Sequence, residues 1–298
     1  MKLFLKKMSL FVLIIILLLV TISFINITLF NRYNGFVFKK NINVLILGDS
    51  HSKFAFDDKI LTNTINFSNQ ADSYFYSYLK LIEIKNKNKQ IDTLFLSFSD
   101  HNIDEITEKR WLFNRAHLKD KIRLYFPMFK KEEFYFLLKN EPTVVFESLF
   151  SQVLFPIYFF SKGSQAYGGY SNLGYKFSME ELKNQSEDRL KRKTHFKEAL
   201  IEIKYLNKIK SYCYINEIKL ILVNPPLYKT MNASFYEFYE KNFPDVLFLD
   251  YSKLKMPDDS YGDLTHLTPI GANYFSELIK KNKWVFDFED KQYFKKIY

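Results

Sequence analysis

Two stretches near opposite ends of the chain carry residues suited to nucleophilic catalysis. The apolar run Asn43–Leu47 leads directly into Gly48-Asp49-Ser50, and Asp263 stands three residues before His266 in a polar loop. A serine hydroxyl becomes an effective nucleophile when a neighbouring base removes its proton. A carboxylate beside a histidine holds the imidazole in the required tautomer. We therefore predict a triad of Ser50, His266 and Asp263.

The elements that must position these residues have the pattern of an α/β protein. Short apolar runs alternate with segments of helical spacing, which predicts a doubly wound parallel sheet with the serine at the carboxyl end of its first strand. A further short helical piece is expected at Asp57–Leu61. The predicted strands are Asn43–Leu47, Thr64–Phe67, Thr93–Phe98, Lys219–Val223 and Val246–Asp250, and the predicted helices are Tyr74–Ile84, a segment from about His195 to Ile209, Phe235–Lys241 and Pro269–Ile279.

Polar residues follow the second and third predicted strands. Ser68–Ser73 follows the second strand, and Ser99-Asp100-His101-Asn102 follows the third. Ligands bind at the carboxyl ends of strands in such sheets, so both stretches are expected beside the serine.

Gly48-Asp49-Ser50 and Asp263-x-x-His266 resemble the first and last sequence blocks of the SGNH (GDSL-type) hydrolases. The run Asp263–Leu267, followed by Gly271-Ala272, is also similar to that last block. The resemblance implies a flavodoxin-like sheet and ester chemistry through a serine nucleophile. It also implies an oxyanion hole formed by the N–H of Ser50, the N–H near Ala71 and the side-chain amide of Asn102. Ala71 stands where the family has a glycine, and the usual Gly-x-Asn-Asp is absent at Asn102.

Other residues near the serine are assigned supporting roles or none. Asp49, His51 and His101 are candidates for supporting the site, although a surface turn is the simpler interpretation of His51. His101 is expected to line the site beside Asn102. His117 and His195 are expected to be exposed. We expect no cofactor, and no histidine or aspartate spacing resembles a zinc or calcium site.

The N-terminus predicts a membrane anchor. Residues 8–30 carry no charge and are long enough to span a bilayer as a helix. No Ala-x-Ala cleavage site follows, so we expect an uncleaved signal anchor over residues 1–34. Lys2, Lys6 and Lys7 precede the span, which favours an inside N-terminus and an extracytoplasmic catalytic domain over residues 35–298. A domain facing the cytoplasm is the alternative.

Composition excludes several classes of protein. The chain of 298 residues is 47% hydrophobic, which supports a folded core, and its single cysteine, Cys213, excludes intrachain disulfides. The net charge of +10 is interpreted as scattered, solvated lysine, because no nucleic-acid-binding signature appears. We expect no nucleic-acid partner.

Residues 103–192 are expected to form an insertion of short helices and loops, either a lid over the strand ends or a surface facing the membrane or a partner. Trp111 and Tyr170 are candidates for carbohydrate contacts within it.

A membrane anchor together with an insertion resembles the envelope branch of the SGNH superfamily. This implies an O-acyl esterase or transferase, with acetyl the favoured group, acting on a cell-envelope polysaccharide beside a membrane-bound O-acyltransferase. A catalytically degenerate domain that binds glycan or supports such an acyltransferase is the alternative.

Overall fold

The computed structural model describes residues 1–33, 35–191, 197–228 and 234–282. His195 and the aromatic tail Trp284–Tyr298 lie outside the described residues. The elements in chain order are α1 Lys2–Tyr33, β1 Val44–Leu47, α2 Ser50–Ala55, β2 Thr64–Asn66, α3 Tyr74–Lys87, β3 Thr93–Ser97, α4 Glu105–Leu112, α5 Arg115–Tyr125, α6 Lys131–Asn140, α7 Pro142–Ser151, α8 Phe155–Lys162, α9 Met179–Lys191, α10 Leu200–Ile215, β4 Lys219–Asn224, α11 Ser234–Asn242, β5 Leu247–Asp250 and α12 Pro269–Asn282.

The five strands form one parallel sheet in the order β2-β1-β3-β4-β5. This is the flavodoxin-like order of doubly wound sheets, and it reverses direction at β1. The central strands are buried on both faces, which explains why they are continuous apolar runs instead of alternating ones. The predicted fold class is confirmed, and all five strands lie within one or two residues of their predicted bounds.

Each face of the sheet is covered by a separate apolar cluster. One cluster joins α3, α10, the helices that follow β3 and the C-terminal end of α1. The other joins α2, the residues around Tyr261 and α12 on the opposite face. The catalytic candidates lie at the carboxyl edge, where the loops after β1, β2 and β3 meet the loop before α12.

Two local predictions are wrong. Asp57–Leu61 forms turns, and the helix near it is α2, which begins at Ser50. Asp49 caps α2 by accepting a hydrogen bond from the N–H of His51, so the helix begins as soon as the strand ends. The helix expected from about His195 begins at Leu200 in the described chain, because Glu198 forms a bridge with Asp104 instead.

The insertion consists mainly of helices, α4 to α9, with short 3₁₀ turns between them. It packs against both the loop after β2 and the C-terminal end of α1. The ring of Phe30 packs against two rings of the insertion, tilted against Phe159 and edge-on against Tyr167. The insertion is thus part of the same packed body as the sheet.

Candidate active site

Ser50 lies at the first position of α2, on the tight turn that ends β1. The turn requires a glycine before Asp49, since Gly48 has φ of +155° and a Cβ atom there would lie 2.3 Å from the Cβ of Ser97 on β3. Ser50 is half-buried, and its side chain faces a cavity at the edge of the sheet. The strand-to-helix turn therefore presents the hydroxyl to ligands.

The three triad candidates form one hydrogen-bonded chain. His266 Nε2 lies 2.8 Å from Ser50 Oγ, and His266 Nδ1 lies 2.7 Å from Asp263 Oδ2. Both distances are those of ordinary hydrogen bonds. The structure thus brings together residues that are 216 positions apart in the sequence, in the arrangement by which an imidazole accepts the serine proton.

The loop before α12 is built around Asp263. Asp263 Oδ1 accepts hydrogen bonds from the backbone N–H groups of Thr265, at 2.7 Å, and of His266, at 2.9 Å. Its other oxygen, Oδ2, therefore remains directed at the imidazole. Burial tends to raise the pKa of Asp263, but the hydrogen bond and charge of His266 outweigh it and hold that pKa well below its usual range. The carboxylate stays ionised beside the imidazole.

Tyr175, from the insertion, also binds the triad carboxylate. Its hydroxyl donates to Asp263 Oδ2 at 2.5 Å and lies 3.4 Å from His266 Nδ1. Burial and the bond to Asp263 raise the pKa of Tyr175 well above its usual value, so the hydroxyl remains a donor. Sequence reasoning missed this residue. The neighbouring Gly174 indicates a turn, but a turn does not predict a contact with a residue 88 positions away.

The cavity has a volume of about 360 Å³ and is lined jointly by the sheet edge and the insertion. The insertion contributes polar and aromatic side chains to it, including the cation Arg110 and the indole of Trp111. The lining residues are Ser50, His51, Phe54, Gln70, Ala71, His101, Thr107, Arg110, Trp111, His117, Tyr175, Thr265 and His266. His117 is exposed, as expected, but it lies on the cavity rim.

The loop after β2 places Ala71 at the cavity. Ala71 has φ of +50°, the left-handed conformation that glycine adopts without strain. This explains physically why a glycine suits this position. Lys121 of α5 donates from Nζ to the carbonyl of Gln70 at 2.8 Å. The Gln70–Ala71 peptide bond is trans, so the N–H of Ala71 points away from Lys121.

A buried ionic cluster fixes the same loop from behind. Asp72 accepts from Lys80 at 2.7 Å, from Tyr125 at 2.7 Å and from Lys121, and the side chains of Asp72 and Lys80 are fully buried. Lys80 also donates to the carbonyl of Phe67 at 2.6 Å. Lys80, Tyr125 and Lys121 therefore all donate to Asp72, and these hydrogen bonds make the loop a rigid part of the site.

The side chain of Asn102 is held by hydrogen bonds with Asp49 and Ser99. Its side-chain Nδ2 donates to Asp49 Oδ2 at 2.7 Å, its Oδ1 accepts from the N–H of Ser99, and it is not among the residues that line the cavity in the described chain. His101 lines the cavity instead, with Nε2 2.6 Å from Asp49 Oδ2 and Nδ1 2.7 Å from Ser99 Oγ. The role expected of Asn102 in the oxyanion hole stays a prediction.

The expectation of a surface position for His51 is wrong. The side chain is buried, and its ring centroid lies 4.1 Å from that of His101 and 5.2 Å from that of His266. Burial, together with the neighbouring His101, lowers the pKa of His51 well below its usual value, so the ring is neutral near pH 7. The neutral ring of His51 therefore packs beside the imidazole of His266.

Asp49, His51 and His101 bring oxygen and nitrogen atoms within 4.8 Å of one another, a donor set that transition metals accept. However, both oxygens of Asp49 already accept hydrogen bonds, Oδ1 from the N–H of His51 and Oδ2 from His101 and Asn102. Although burial opposes it, the charge of His101 and the hydrogen bonds from His101 and Asn102 keep the pKa of Asp49 far below its usual range. In the described chain these contacts make the group a hydrogen-bonded support beneath Ser50.

No protein-family model matches the chain, and no curated protein matches it. Several solved structures are similar to it, among them the following three. The first is described as a candidate platelet activating factor from Streptococcus pneumonia, with 10% identity, a TM-score of 0.39 and coverage of 92% of this chain and 98% of that one. The second, a GDSL-like lipase from Bacteroides thetaiotaomicron, has 11% identity, a TM-score of 0.35 and coverage of 82% and 89%. The third, a candidate acylhydrolase from Bacteroides fragilis, has 11% identity, a TM-score of 0.36 and coverage of 84% and 90%.

Proposed function

We propose that the protein is a serine-dependent O-acyl esterase or O-acyltransferase. The observation that carries this proposal is the hydrogen-bonded chain from Ser50 through His266 to Asp263, which opens into a cavity. A serine with a paired imidazole and carboxylate is suited to acyl transfer.

The mechanism has two steps. His266 Nε2 takes the proton of Ser50 as Oγ attacks the ester carbonyl, and the alcohol leaves with that proton as the acyl-enzyme forms. Water or a sugar hydroxyl then gives its proton to His266 and attacks the acyl carbon. His266 returns that proton to Oγ as the bond between Oγ and the acyl carbon breaks, which regenerates Ser50. The oxyanion of each tetrahedral intermediate would accept from the N–H groups of Ser50 and Ala71. A donor of this kind typically contributes about 3 kcal/mol.

The shape and lining of the cavity support a polar substrate larger than a simple ester. Arg110, Trp111 and Gln70 surround the serine with a cation, an indole face and an amide, groups that bind the hydroxyls and rings of a glycan. We propose a cell-envelope polysaccharide or similar acylated polymer as substrate, with an O-acetyl group as the favoured acyl group.

We further propose that α1 anchors the protein in a cell membrane, with the catalytic domain outside the cytoplasm. The helix has a mean hydropathy of 3.1 over its best window, and none of that window is buried in the fold. The same membrane is where a membrane-bound O-acyltransferase would supply acyl groups to Ser50.

The test uses the full chain in detergent with an aryl acetate as substrate. Release of the phenol should be rapid for the native chain and fall to background for Ser50→Ala. A serine-directed phosphonate should label Ser50, and His266→Ala should abolish labelling although the serine remains. Equal rates in all three proteins, with no labelling, would refute the esterase and leave a glycan-binding domain. Adding an oligosaccharide acceptor separates transfer from hydrolysis, because a transferase yields an acylated sugar.

A further inference from the structure

The segment Pro142–Lys162 is apolar on two opposite sides. Its inner side is buried against the insertion and contains Val145, Phe155 and Phe159. Its outer side carries six large apolar side chains at helical spacing, each more than half exposed. We name these the outer face: Phe146, Phe150, Val153, Leu154, Ile157 and Phe160, with exposed fractions of 53% to 71%. Contiguous exposed apolar surface of this kind marks a binding surface for protein or membrane.

The outer face also carries little uncompensated charge. Between Pro142 and Ser161 the single charged residue is Glu147, and it forms ion pairs with Arg115 and Lys119 of α5. Because these two cations compensate its charge, Glu147 opposes contact of the outer face with an apolar medium less than an unpaired carboxylate would.

The position of α1 indicates which apolar medium this is. Asn26 of α1 is buried and donates from Nδ2 to the carbonyl of Gln152 at 2.8 Å. Farther along α1, the ring of Tyr33 lies 5.9 Å from that of Phe160. The outer face is therefore continuous with the exposed apolar surface of α1.

The length of α1 gives the depth of this contact. A bilayer core requires about 20 helical residues. If the core begins after Lys7, it ends near Ile27, and Arg32 lies roughly 7 Å beyond it in the headgroup region. Asn26 is thus at the outer boundary of the core. Gln152, bonded to it, and the apolar residues next to Gln152 lie at the same level.

We propose that the outer face lies in the outer leaflet of the lipid bilayer, as a second membrane contact beside α1. This inference rests on the proposed membrane anchoring. The segment is long enough to span a membrane by length and composition, but a third of its best window is buried in the fold. Its inner side also includes the buried polar residues Ser148 and Gln152. It therefore lies along the interface and does not cross the bilayer. Two contacts hold the domain, and with it the cavity, at a fixed height and tilt.

The experiment measures the depth of fluorescent probes on the full chain in lipid nanodiscs of phosphatidylcholine and phosphatidylglycerol. Bimane is attached to Ile157→Cys on the outer face, to Phe24→Cys on α1 as a membrane reference, and to Ile270→Cys on the opposite face of the sheet as a control. All three native side chains are exposed, at 71%, 70% and 59%. The native Cys213 is buried, and burial raises the pKa of its thiol to about 12, so it does not react.

Nitroxide-labelled lipids should quench the probes at Ile157 and Phe24 several-fold more than the probe at Ile270, and aqueous iodide should do the reverse. If iodide quenches the probe at Ile157 as much as that at Ile270, the face is in water and the inference is wrong. If neither quencher reaches it, a second copy of the chain covers the face, and the inference is again wrong. A probe at Phe24 that lipid does not quench would instead refute the anchor itself.

A second variant separates this inference from the proposed chemistry. Ile157→Ser should hydrolyse a soluble aryl acetate at the native rate, since Ile157 is exposed and is not among the residues that line the cavity. In nanodiscs, the same change should reduce lipid quenching of a probe at Val153→Cys by about half or more. Unchanged quenching would contradict a lipid contact through this face.

Discussion

Lys121→Met tests whether the insertion holds the loop of Ala71, after β2, in the geometry that the proposed oxyanion hole requires. Lys121 is nine-tenths buried and binds both the Gln70 carbonyl and the Asp72 carboxylate. Methionine keeps much of the volume and removes the charge. Among the described residues, Lys121 is the donor to that carbonyl, so the Gln70–Ala71 peptide loses its fixed orientation in the variant.

The expected effect on stability is moderate. Removing one partner of a buried ion pair typically costs about 3–5 kcal/mol, because the other charge is left uncompensated. Here Asp72 keeps its ion pair with Lys80 and its hydrogen bond from Tyr125. We therefore expect the free energy of unfolding to fall by about 2–3 kcal/mol, so that the variant remains folded at 25 °C.

The expected effect on catalysis is larger. Ala71 is held in a left-handed conformation that costs a non-glycine residue about 1–2 kcal/mol. Without Lys121 this strain favours rotation of the peptide, which would displace the N–H that serves as an oxyanion donor in the proposed mechanism. Loss of one oxyanion donor lowers kcat by about 100-fold or more, and partial loss gives about 10- to 100-fold. KM for an aryl acetate should change by less than about threefold, because the donor acts in the transition state.

The assay compares kcat and KM of Lys121→Met with those of the control Tyr125→Phe. The control also removes a bond to Asp72 but leaves Lys121 on the Gln70 carbonyl, so its kcat should stay within about threefold of the native value. Adding Ala71→Gly to Lys121→Met should restore part of kcat, since glycine adopts the left-handed conformation without the Cβ penalty. A folded Lys121→Met protein with native kcat would refute the reasoning.

Three further changes test other parts of the structure. Tyr175→Phe removes one donor to Asp263, which is worth about 1 kcal/mol, so kcat should fall about fivefold at unchanged KM, and an unaltered kcat would exclude a role for this hydroxyl. Gly168→Ala should lower the free energy of unfolding by about 1–3 kcal/mol more than Gly169→Ala in urea titrations, because both have positive φ but only a Cβ at Gly168 would meet backbone atoms, at 2.2 Å; equal losses would contradict this. Burial raises the pKa of the Glu202 carboxyl to about 8. The folded state therefore holds a proton that the unfolded chain releases near pH 4, so the free energy of unfolding should fall by a few kcal/mol between about pH 5 and pH 8. Glu202→Gln should flatten that dependence, and parallel pH profiles for the two proteins would argue against a protonated Glu202.

The framework of the fold was predictable because local pattern and global structure agree in it. Buried parallel strands are apolar on both faces, so β1, β3 and β4 appear in the sequence as short apolar runs that end in polar loops. The placement of Ser50 and His266 at one sheet edge follows from that topology. Helix bounds were less predictable. The start of α2 is set by its capping residue, Asp49, and not by an apolar repeat.

The surroundings of the triad were not predictable, because they depend on contacts between distant segments. Tyr175 and Lys121 carry no local signal, and each reaches the site only because the insertion folds against the loop before α12 and the loop after β2. His51 was expected at the surface because a polar turn residue is usually exposed, but packing against His101 buries it. Asn102 was assigned by its position after β3, and its amide binds Asp49.

The insertion therefore links the two parts of the proposed function. Its α5 holds the loop of Ala71 through Lys121, while Gln152, in the turn after α7, and Phe159 of α8 contact α1. These helices share one packed cluster with α3 and the sheet, and close-packed side chains leave little room for one helix to shift without its neighbours. In the proposed function, the segment that sets the height of the cavity above the bilayer therefore belongs to the same packed body as the helix that holds the loop of Ala71.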